Sequence, residues 1–154
     1  MSKAESEMPL PSPPATSPFA AGQVAYAYAD GASRGNPGPA AYGCVYALDQ
    51  GSLPVCGEGA VLGVTTNNVA EYRGAIAALA RLAGWGVKHA VLRLDSQLVV
   101  RQLDGSYRVK DAKLRLLHQE AKSWVPRFDS LRFEHIPRKL NADADAMANA
   151  ALDA

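Results

Sequence analysis

Hydrophobic and polar residues alternate with a period of two where regular patterning begins, near residue 23. From Val24 to Ala29 the larger side chains and the alanines fall on opposite faces, which is typical of a β-strand. Turn-forming residues follow at positions 36–38, and a second alternation over residues 42–47 predicts a strand that returns antiparallel to the first. We expect a third strand over residues 53–62, which completes a three-stranded meander.

The spacing of apolar positions then changes to that of a helix. Residues 65–68 supply capping side chains in front of the new pattern. Apolar residues recur at intervals of three and four, which puts them on one helical stripe, and they are Val69, Tyr72, Ile76, Leu79 and Ala83. We predict a helix that ends near Gly84 or Gly86.

The second half of the chain alternates strands with helices. Short apolar runs at residues 90–94 and 130–136 predict strands. Helical spacing predicts helices over residues 96–103, over residues 111–125 and from Asn141 onward. A meander followed by such crossovers predicts an α/β fold whose crossovers are right-handed.

Composition divides the chain into two parts. Residues 1–22 are rich in proline and serine and lack apolar periodicity, so we expect a disordered tail there and a single domain over residues 23–154. No stretch is long and apolar enough to span a bilayer, and the first residues lack the pattern of a secretory signal. A cytoplasmic location is therefore expected.

Charge and cysteine content narrow the function only slightly. The chain has 16 Lys and Arg against 15 Asp and Glu, a net charge of +1, so bulk charge does not indicate a nucleic-acid partner. Basic residues cluster over residues 101–115 and at residues 138–139, although a solvated helix face explains each cluster taken alone. Cys44 and Cys56 lack metal-ligand spacing, which favours buried thiols over a zinc site or a redox pair.

Two acids follow predicted strands directly, and two more lie near the starts of predicted helices. Asp30 and Asp95 are the strand acids, and Glu71 and Asp145 are the helix acids. Turn chemistry and the helix dipole explain such acids individually. If the first and fourth strands are neighbours, however, all four carboxylates converge beyond the strand ends. Because clustered acids repel one another unless cations lie between them, convergence predicts a hard-metal site, with Mg²⁺ as its natural occupant.

Four separated motifs resemble those of the type 1 ribonuclease H family. They are the segment from Asp30 to Gly43, the TNNxxE segment at residues 66–71, the DSQ at residues 95–97 and the N-x-x-A-D at residues 141–145. The motifs occur in the family's order, and the resemblance runs from about Gln23 to the last residue. It implies the ribonuclease H-like fold, a five-stranded mixed sheet of three antiparallel strands and then two parallel strands, flanked by helices.

The resemblance implies a nuclease with a two-metal centre. The family's catalytic and metal-binding acids correspond to Asp30, Glu71, Asp95 and Asp145, whereas Asp143 is interpreted as a solvated acid at a helix start. The implied reaction is endonucleolytic hydrolysis of the RNA strand of an RNA/DNA hybrid with two Mg²⁺ ions, for which Mn²⁺ can substitute. The products carry 5′-phosphate and 3′-hydroxyl ends. The implied partner is the RNA/DNA hybrid, and double-stranded RNA stays open as a second one. No membrane partner is expected, and the chain is expected to be a monomer.

The family's substrate contacts correspond to amide, glycine and basic positions of this chain. Asparagine and glutamine amides and the backbone at a glycine suit the minor-groove edges and 2′-hydroxyls of RNA, although capping and turn roles explain these residues as well. The predicted substrate-binding residues are Gly31, Asn36, Thr66, Asn67, Asn68, Gln97, Tyr107, Lys110 and Arg138.

Three departures from the family pattern modify these expectations. Residues 102–110 pass directly to the next helix without a basic protrusion, and Asp111 stands where bacterial members carry an asparagine that holds a DNA phosphate. We therefore expect weak hybrid binding with a steep salt dependence. The third departure is that the family's histidine-bearing loop before the last helix is shortened to residues 137–140. His135 is assigned to the last strand rather than to that loop, so Arg138 is the candidate to assist departure of the phosphate.

Two other functions stay open. A non-catalytic hybrid- or RNA-binding module can use the same fold, although a pure binder gains nothing from unneutralised carboxylates beside phosphates. The other alternative is an interaction domain whose partner binds the proline-rich residues 11–14.

Overall fold

The computed structural model describes residues 10–154 of the chain, and their strands form one five-stranded sheet in the order β3-β2-β1-β4-β5. The strands are β1 (Val24–Ser33), β2 (Gly38–Ala47), β3 (Cys56–Thr65), β4 (His89–Leu94) and β5 (Ser130–His135). The α-helices are α1 (Asn67–Gly84), α2 (Gln97–Leu103), α3 (Ala112–Ser123) and α4 (Ala142–Asp153). Short 3-10 helices span Val125–Arg127 and Arg138–Asn141.

The sheet is mixed, which confirms the predicted fold class. β1, β2 and β3 form the antiparallel meander, whereas β4 runs parallel to β1 and β5 runs parallel to β4. The parallel ladder between β1 and β4 ends at the pair Ala29 and Leu94. Asp30 and Asp95 are therefore the first residues beyond the ladder, side by side at one edge of it.

Helix α1 covers one face of the sheet because small residues allow it to approach. Ala25, Ala27 and Ala29 of β1 are all 0% exposed, and ten of the 18 residues of α1 are buried. At Gly31 even a methyl group would collide with this helix, since an added Cβ would lie 2.4 Å from the backbone nitrogen of Glu71. This contact sets the position of Glu71 next to β1.

Helix α4 covers the opposite face of the sheet, and small residues again allow the helix and the strands to approach closely. An added Cβ at Gly43 of β2 would lie 2.2 Å from the carbonyl oxygen of Ala144. Ala144 and Ala148 are both 0% exposed, as close packing of helix on strand requires. This packing brings Asp145 to the same side of the sheet edge as Asp30 of β1.

The first three strands differ in their bounds from the pattern-based prediction. β2 begins at Gly38 rather than near residue 42. β1 does not end at Asp30 but continues to Ser33, because residues 30–33 pair with β2 after the partner strand β4 has ended. The third strand spans Cys56–Thr65 rather than residues 53–62. Pro54 has no backbone N–H for a ladder, and Leu53 is 85% exposed, so pairing begins only beyond them.

Residues 10–22 lie against the domain, which differs from the disordered tail predicted from composition. Phe19 is buried and packs edge-on against Trp85 with ring centroids 5.8 Å apart. The indole Nε1–H of Trp85 donates to the carbonyl of Pro14 at 2.9 Å, and the N–H of Gly57 donates to the carbonyl of Pro11 at 2.9 Å. One aromatic anchor and two hydrogen bonds hold a segment that has no periodicity of its own. Residues 1–9 of the predicted tail lie outside the described residues.

Both cysteines are buried and free, as predicted. None of the helices within residues 10–154 has the length and apolar character needed to cross a membrane.

Candidate active site

Three acids from three elements meet beyond the end of the parallel ladder. Asp30 comes from β1, Glu71 from the second turn of α1, and Asp95 from the residue after β4. One carboxylate oxygen of each lies within 4.8 Å of the others. Asp30 is 4% exposed and Glu71 is 6% exposed, so two of the three carboxylates are largely removed from water.

Glu71 is oriented by the backbone of β1. Its Oε1 accepts a hydrogen bond from the N–H of Gly31 at 2.9 Å. Its Oε2 is buried and has no hydrogen-bond partner among the described residues. A buried oxygen without a donor is costly, and a cation between the carboxylates would remove that cost.

Asp145 of α4 is the fourth acid of the same cleft. The cleft has a volume of about 500 Å³, and the four carboxylates line it together. The side chain of Asp145 is near enough to Asp30 to contribute to the raised pKa of that carboxyl. The convergence expected from the strand order is therefore present in the folded chain.

Burial raises the pKa of Asp30 well above its ordinary value, and hydrogen bonding and repulsion from Glu71 raise it further. Burial also raises the pKa of Glu71. Without a cation, the pair therefore holds on to protons at pH values where isolated carboxyls are ionised. Oxygen donors of this kind, four in one cleft with one oxygen unpartnered, fit a hard divalent cation such as Mg²⁺.

Asn141 connects three of the site's elements and was not predicted as a site residue. Its Nδ2 donates to the carbonyl of Ala29 at 2.9 Å and to Oδ2 of Asp95 at 3.4 Å, and the residue is 1% exposed. It therefore connects β1, at the end of the ladder with β4, and the carboxylate after β4 to the start of α4. The sequence signal was its place at the head of the N-x-x-A-D motif, but its partners are far away in the chain.

Comparison with known proteins identifies the family. A family model described as "Reverse transcriptase-like" matches residues 28–151. Ribonuclease HI of Halobacterium salinarum is 47% identical over 128 residues, which cover 83% of this chain and 64% of the relative. The crystal structure of RNase H1 from that archaeon has a TM-score of 0.79 at 45% identity and covers 84% of this chain and 98% of that chain. The chain belongs to the type 1 ribonuclease H family.

Two further members of the family align over most of the chain. The N-terminal RNase H domain of Rv2228c from Mycobacterium tuberculosis has a TM-score of 0.80 at 41% identity and covers 84% of this chain and 94% of that chain. LC11-RNase H1, solved in complex with an RNA/DNA hybrid, has a TM-score of 0.78 at 39% identity and covers 84% of this chain and 96% of that chain. The chain spans 35% of the full Rv2228c protein, which is described as bifunctional.

The substrate residues inferred from the ribonuclease H resemblance fall into separate places. Gly31, Asn67, Asn68 and Arg138 line the cleft with the acids. Asn36 and Thr66 support its wall instead: Asn36 Oδ1 accepts from the N–H of Asn67 at 3.0 Å, and Thr66 caps α1.

The other three predicted substrate residues do not line the cleft. Gln97 is exposed at the first position of α2. Tyr107 and Lys110 border a second groove of about 750 Å³, which carries four more basic or imidazole side chains, namely Arg108, Arg115, His118 and Lys122. The structure therefore separates an acidic cleft from a basic groove.

The cleft residues that were not predicted as site residues include Arg34 and Asn149. Arg34 lies inside the first family segment, which assigned it no role, and Asn149 lies one helical turn after Asp145.

Three residues that the sequence analysis left out of the predicted site lie where the patterns predict. Asp143 is exposed and borders another cavity rather than the cleft. His135 is the last residue of β5. Asp111 is the N-cap of α3, with its Oδ1 accepting from the N–H of Leu114 at 2.9 Å.

Proposed function

We propose that this chain is an endoribonuclease that hydrolyses the RNA strand of RNA/DNA hybrids. The observation that carries the proposal is the convergence of four carboxylates in one cleft of a ribonuclease H fold. The hybrid as substrate is supported by LC11-RNase H1, a relative that was solved in complex with one. A non-catalytic binding module is disfavoured, because unneutralised carboxylates beside phosphates would weaken binding.

The residues of the cleft fit a divalent metal centre. Asp30, Glu71, Asp95 and Asp145 would hold two Mg²⁺ ions, with Mn²⁺ able to substitute, which when bound supply an activated water and charge stabilisation at the leaving 3′ oxygen. The protein's part is to hold the carboxylates in place. Gly31 fixes Glu71 through its N–H, and Asn141 fixes Asp95 through its amide. Products with 5′-phosphate and 3′-hydroxyl ends belong to this proposal.

Substrate binding is assigned to the polar walls of the cleft and to the basic groove. The amides of Asn67 and Asn68 suit 2′-hydroxyls and minor-groove edges of the RNA strand, and Arg138 suits a phosphate near the carboxylates. Tyr107 and Lys110 of the basic groove supply further contacts with the sugar-phosphate backbone of the hybrid. Because these contacts are electrostatic, affinity falls steeply with salt. Action on double-stranded RNA, a monomeric state and a cytoplasmic location stay predictions.

Cleavage of an end-labelled RNA/DNA hybrid in Mg²⁺ or Mn²⁺ at low salt tests the proposal. Wild type is expected to cut internally in the RNA strand, and Asp30→Asn and Asp95→Asn are each expected to lose at least about a thousandfold in rate. Asp143→Asn is the matched control, because it removes the same charge from an exposed carboxylate outside the cleft, and its rate is expected to equal that of wild type. The proposal fails if wild type leaves the hybrid intact, or if both cleft variants cut as fast as wild type. Binding of the hybrid without cleavage would identify the binding module instead.

A further inference from the structure

Arg34 lies at the rim of the cleft, in the loop that joins β1 to β2. Of the residues that line the cleft within the described part of the chain, Arg34 and Arg138 are the cations. Arg138 comes from the 3-10 helix before α4. Arg34 thus brings a positive charge to the cleft from a different element, one that no motif comparison assigns a role.

The backbone of Arg34 is held rigidly. Its N–H donates to the carbonyl of Pro39 at 2.8 Å, which closes the loop. An added Cβ at Gly38 would lie 2.3 Å from the carbonyl oxygen of Arg34, so the two ends of the loop are in direct contact. Asn36 Oδ1 in turn binds the N–H of Asn67 at the start of α1. The arginine side chain therefore projects from a fixed base, as pre-organised binding groups do.

The guanidinium of Arg34 is held by exchangeable contacts on α4. Its Nη2 lies 2.8 Å from Oδ1 of Asp153 and 3.4 Å from Oδ1 of Asn149. The Arg34 and Asp153 side chains are 48% and 65% exposed, and ion pairs this exposed add little to stability. Within residues 10–154, both contacts use the same nitrogen, which leaves Nε–H and the Nη1 hydrogens free for another acceptor.

The residues that contact Arg34 lie on the same helix as Asp145, the acid that α4 contributes to the cleft. Asp145, Asn149 and Asp153 follow one another at intervals of four residues and so share one face of the helix. Asn149 Nδ2 donates to the carbonyl of Asp145 at 3.0 Å. The arginine thus sits beside the carboxylate cluster while its charge is partly neutralised by Asp153.

We propose that Arg34 binds a backbone phosphate of the RNA strand and that Asp153 competes with that phosphate for the guanidinium. The inference rests on the proposed function, which makes an RNA/DNA hybrid the occupant of the cleft. A planar guanidinium binds phosphate oxygens through two parallel hydrogen bonds, which is stronger and more directional than an exposed contact with one carboxylate oxygen. Asp153 accordingly lowers affinity for the hybrid, and it does so through Arg34.

Fluorescence anisotropy with a labelled RNA/DNA hybrid tests this inference. All variants are made in the Asp95→Asn chain, so that cleavage does not disturb the titration. Arg34→Ala is expected to weaken binding about fivefold to tenfold and to lower the slope of log affinity against log salt by about one. Arg34→Lys keeps the positive charge but loses the planar guanidinium, so its affinity for the hybrid is expected to lie between those of Arg34→Ala and the chain with Arg34 intact.

The decisive variant is Asp153→Asn, because its effect on hybrid affinity has opposite signs for the two possible roles of Arg34, binding a phosphate or holding the loop against α4. If Arg34 binds phosphate, releasing it from Asp153 tightens hybrid binding about twofold to threefold, and the gain disappears in the Arg34→Ala background. If the only role of Arg34 is to hold the β1–β2 loop against α4, Asp153→Asn weakens hybrid binding as Arg34→Ala does, and each substitution lowers the melting temperature. That result overturns the inference, and so does an unchanged affinity and salt slope in Arg34→Ala. Failure of the proposed function is seen separately, as absence of cleavage by wild type.

Discussion

Replacing Asp30 by asparagine is expected to stabilise the metal-free protein while abolishing its activity. Asp30 and Glu71 are 4% and 6% exposed, and burial raises the pKa of both carboxyls. In the folded chain the two groups therefore resist ionisation, whereas in the unfolded chain they ionise at about pH 4. Their contribution to stability is full below about pH 4 and is lost as the pH rises toward the raised folded pKa values.

The size of the effect follows from the unpartnered oxygen of Glu71. A buried polar atom without a hydrogen bond costs about 1–3 kcal/mol. An amide at position 30 is neutral at every pH and places N–H donors beside Glu71, whose Oε2 has no partner among residues 10–154. It also spares the folded chain the proton that the buried Asp30 carboxyl takes up on folding. We expect a gain of about 2 kcal/mol at neutral pH, or about 5 °C in melting temperature for a chain of this size.

Thermal unfolding followed by circular dichroism in EDTA measures this gain between about pH 4 and about pH 8. The advantage of Asp30→Asn over wild type is expected to grow with pH and to shrink when Mg²⁺ is added, since the ion binds folded wild type more tightly. Asp143→Asn serves as the control, with a change within about 0.5 kcal/mol. The reasoning is refuted if Asp30→Asn melts at or below wild type at neutral pH, or if the difference between them does not depend on pH.

Three further substitutions test contacts that hold the site and the fold. Phe19→Ala is expected to cost about 3 kcal/mol of unfolding free energy by urea titration, because it empties a buried contact with Trp85; an unchanged value would mean that residues 10–22 do not pack on the domain. Asn141→Ala releases the carboxylate of Asp95, so kcat should fall at least about tenfold while hybrid affinity is kept, and an equal loss of both would point to misfolding. Gly31→Ala forces an added Cβ to within 2.4 Å of the α1 backbone, so both stability and kcat should fall by amounts that a melt and a cleavage assay detect; full activity would show that the helix can yield.

Much of the fold and the four acids could be predicted from local signals. The alternation over residues 24–29 and the apolar stripe from Val69 to Ala83 report burial on one face, and burial is what forms a strand or a helix at those positions. Thr66 and Asp111 cap helices through side-chain bonds to residues three positions on, so their signals are also local. The motif order then assigned Asp30, Glu71, Asp95 and Asp145 to one site, and the structure brings them into one cleft.

Features made by distant contacts could not be predicted in this way. The packing of residues 10–22 depends on Phe19 and two carbonyl groups meeting Trp85 and Gly57, and a proline-rich composition carries no trace of those partners. The extension of β1 to Ser33 depends on β2 still pairing after β4 has ended.

Side-chain periodicity and motif spacing predicted the type and order of the helices and strands and grouped the four acids, because both signals lie in the residues of each segment. How the acids are held and what surrounds them depends on contacts between distant segments. Asn141 reaches Asp95 across 46 positions, and Arg34 reaches Asn149 across 115. Such contacts exist only once the sheet order has brought β1, β4 and α4 to one edge, since a side chain's partner is set by the path of the whole backbone rather than by its neighbours in the chain.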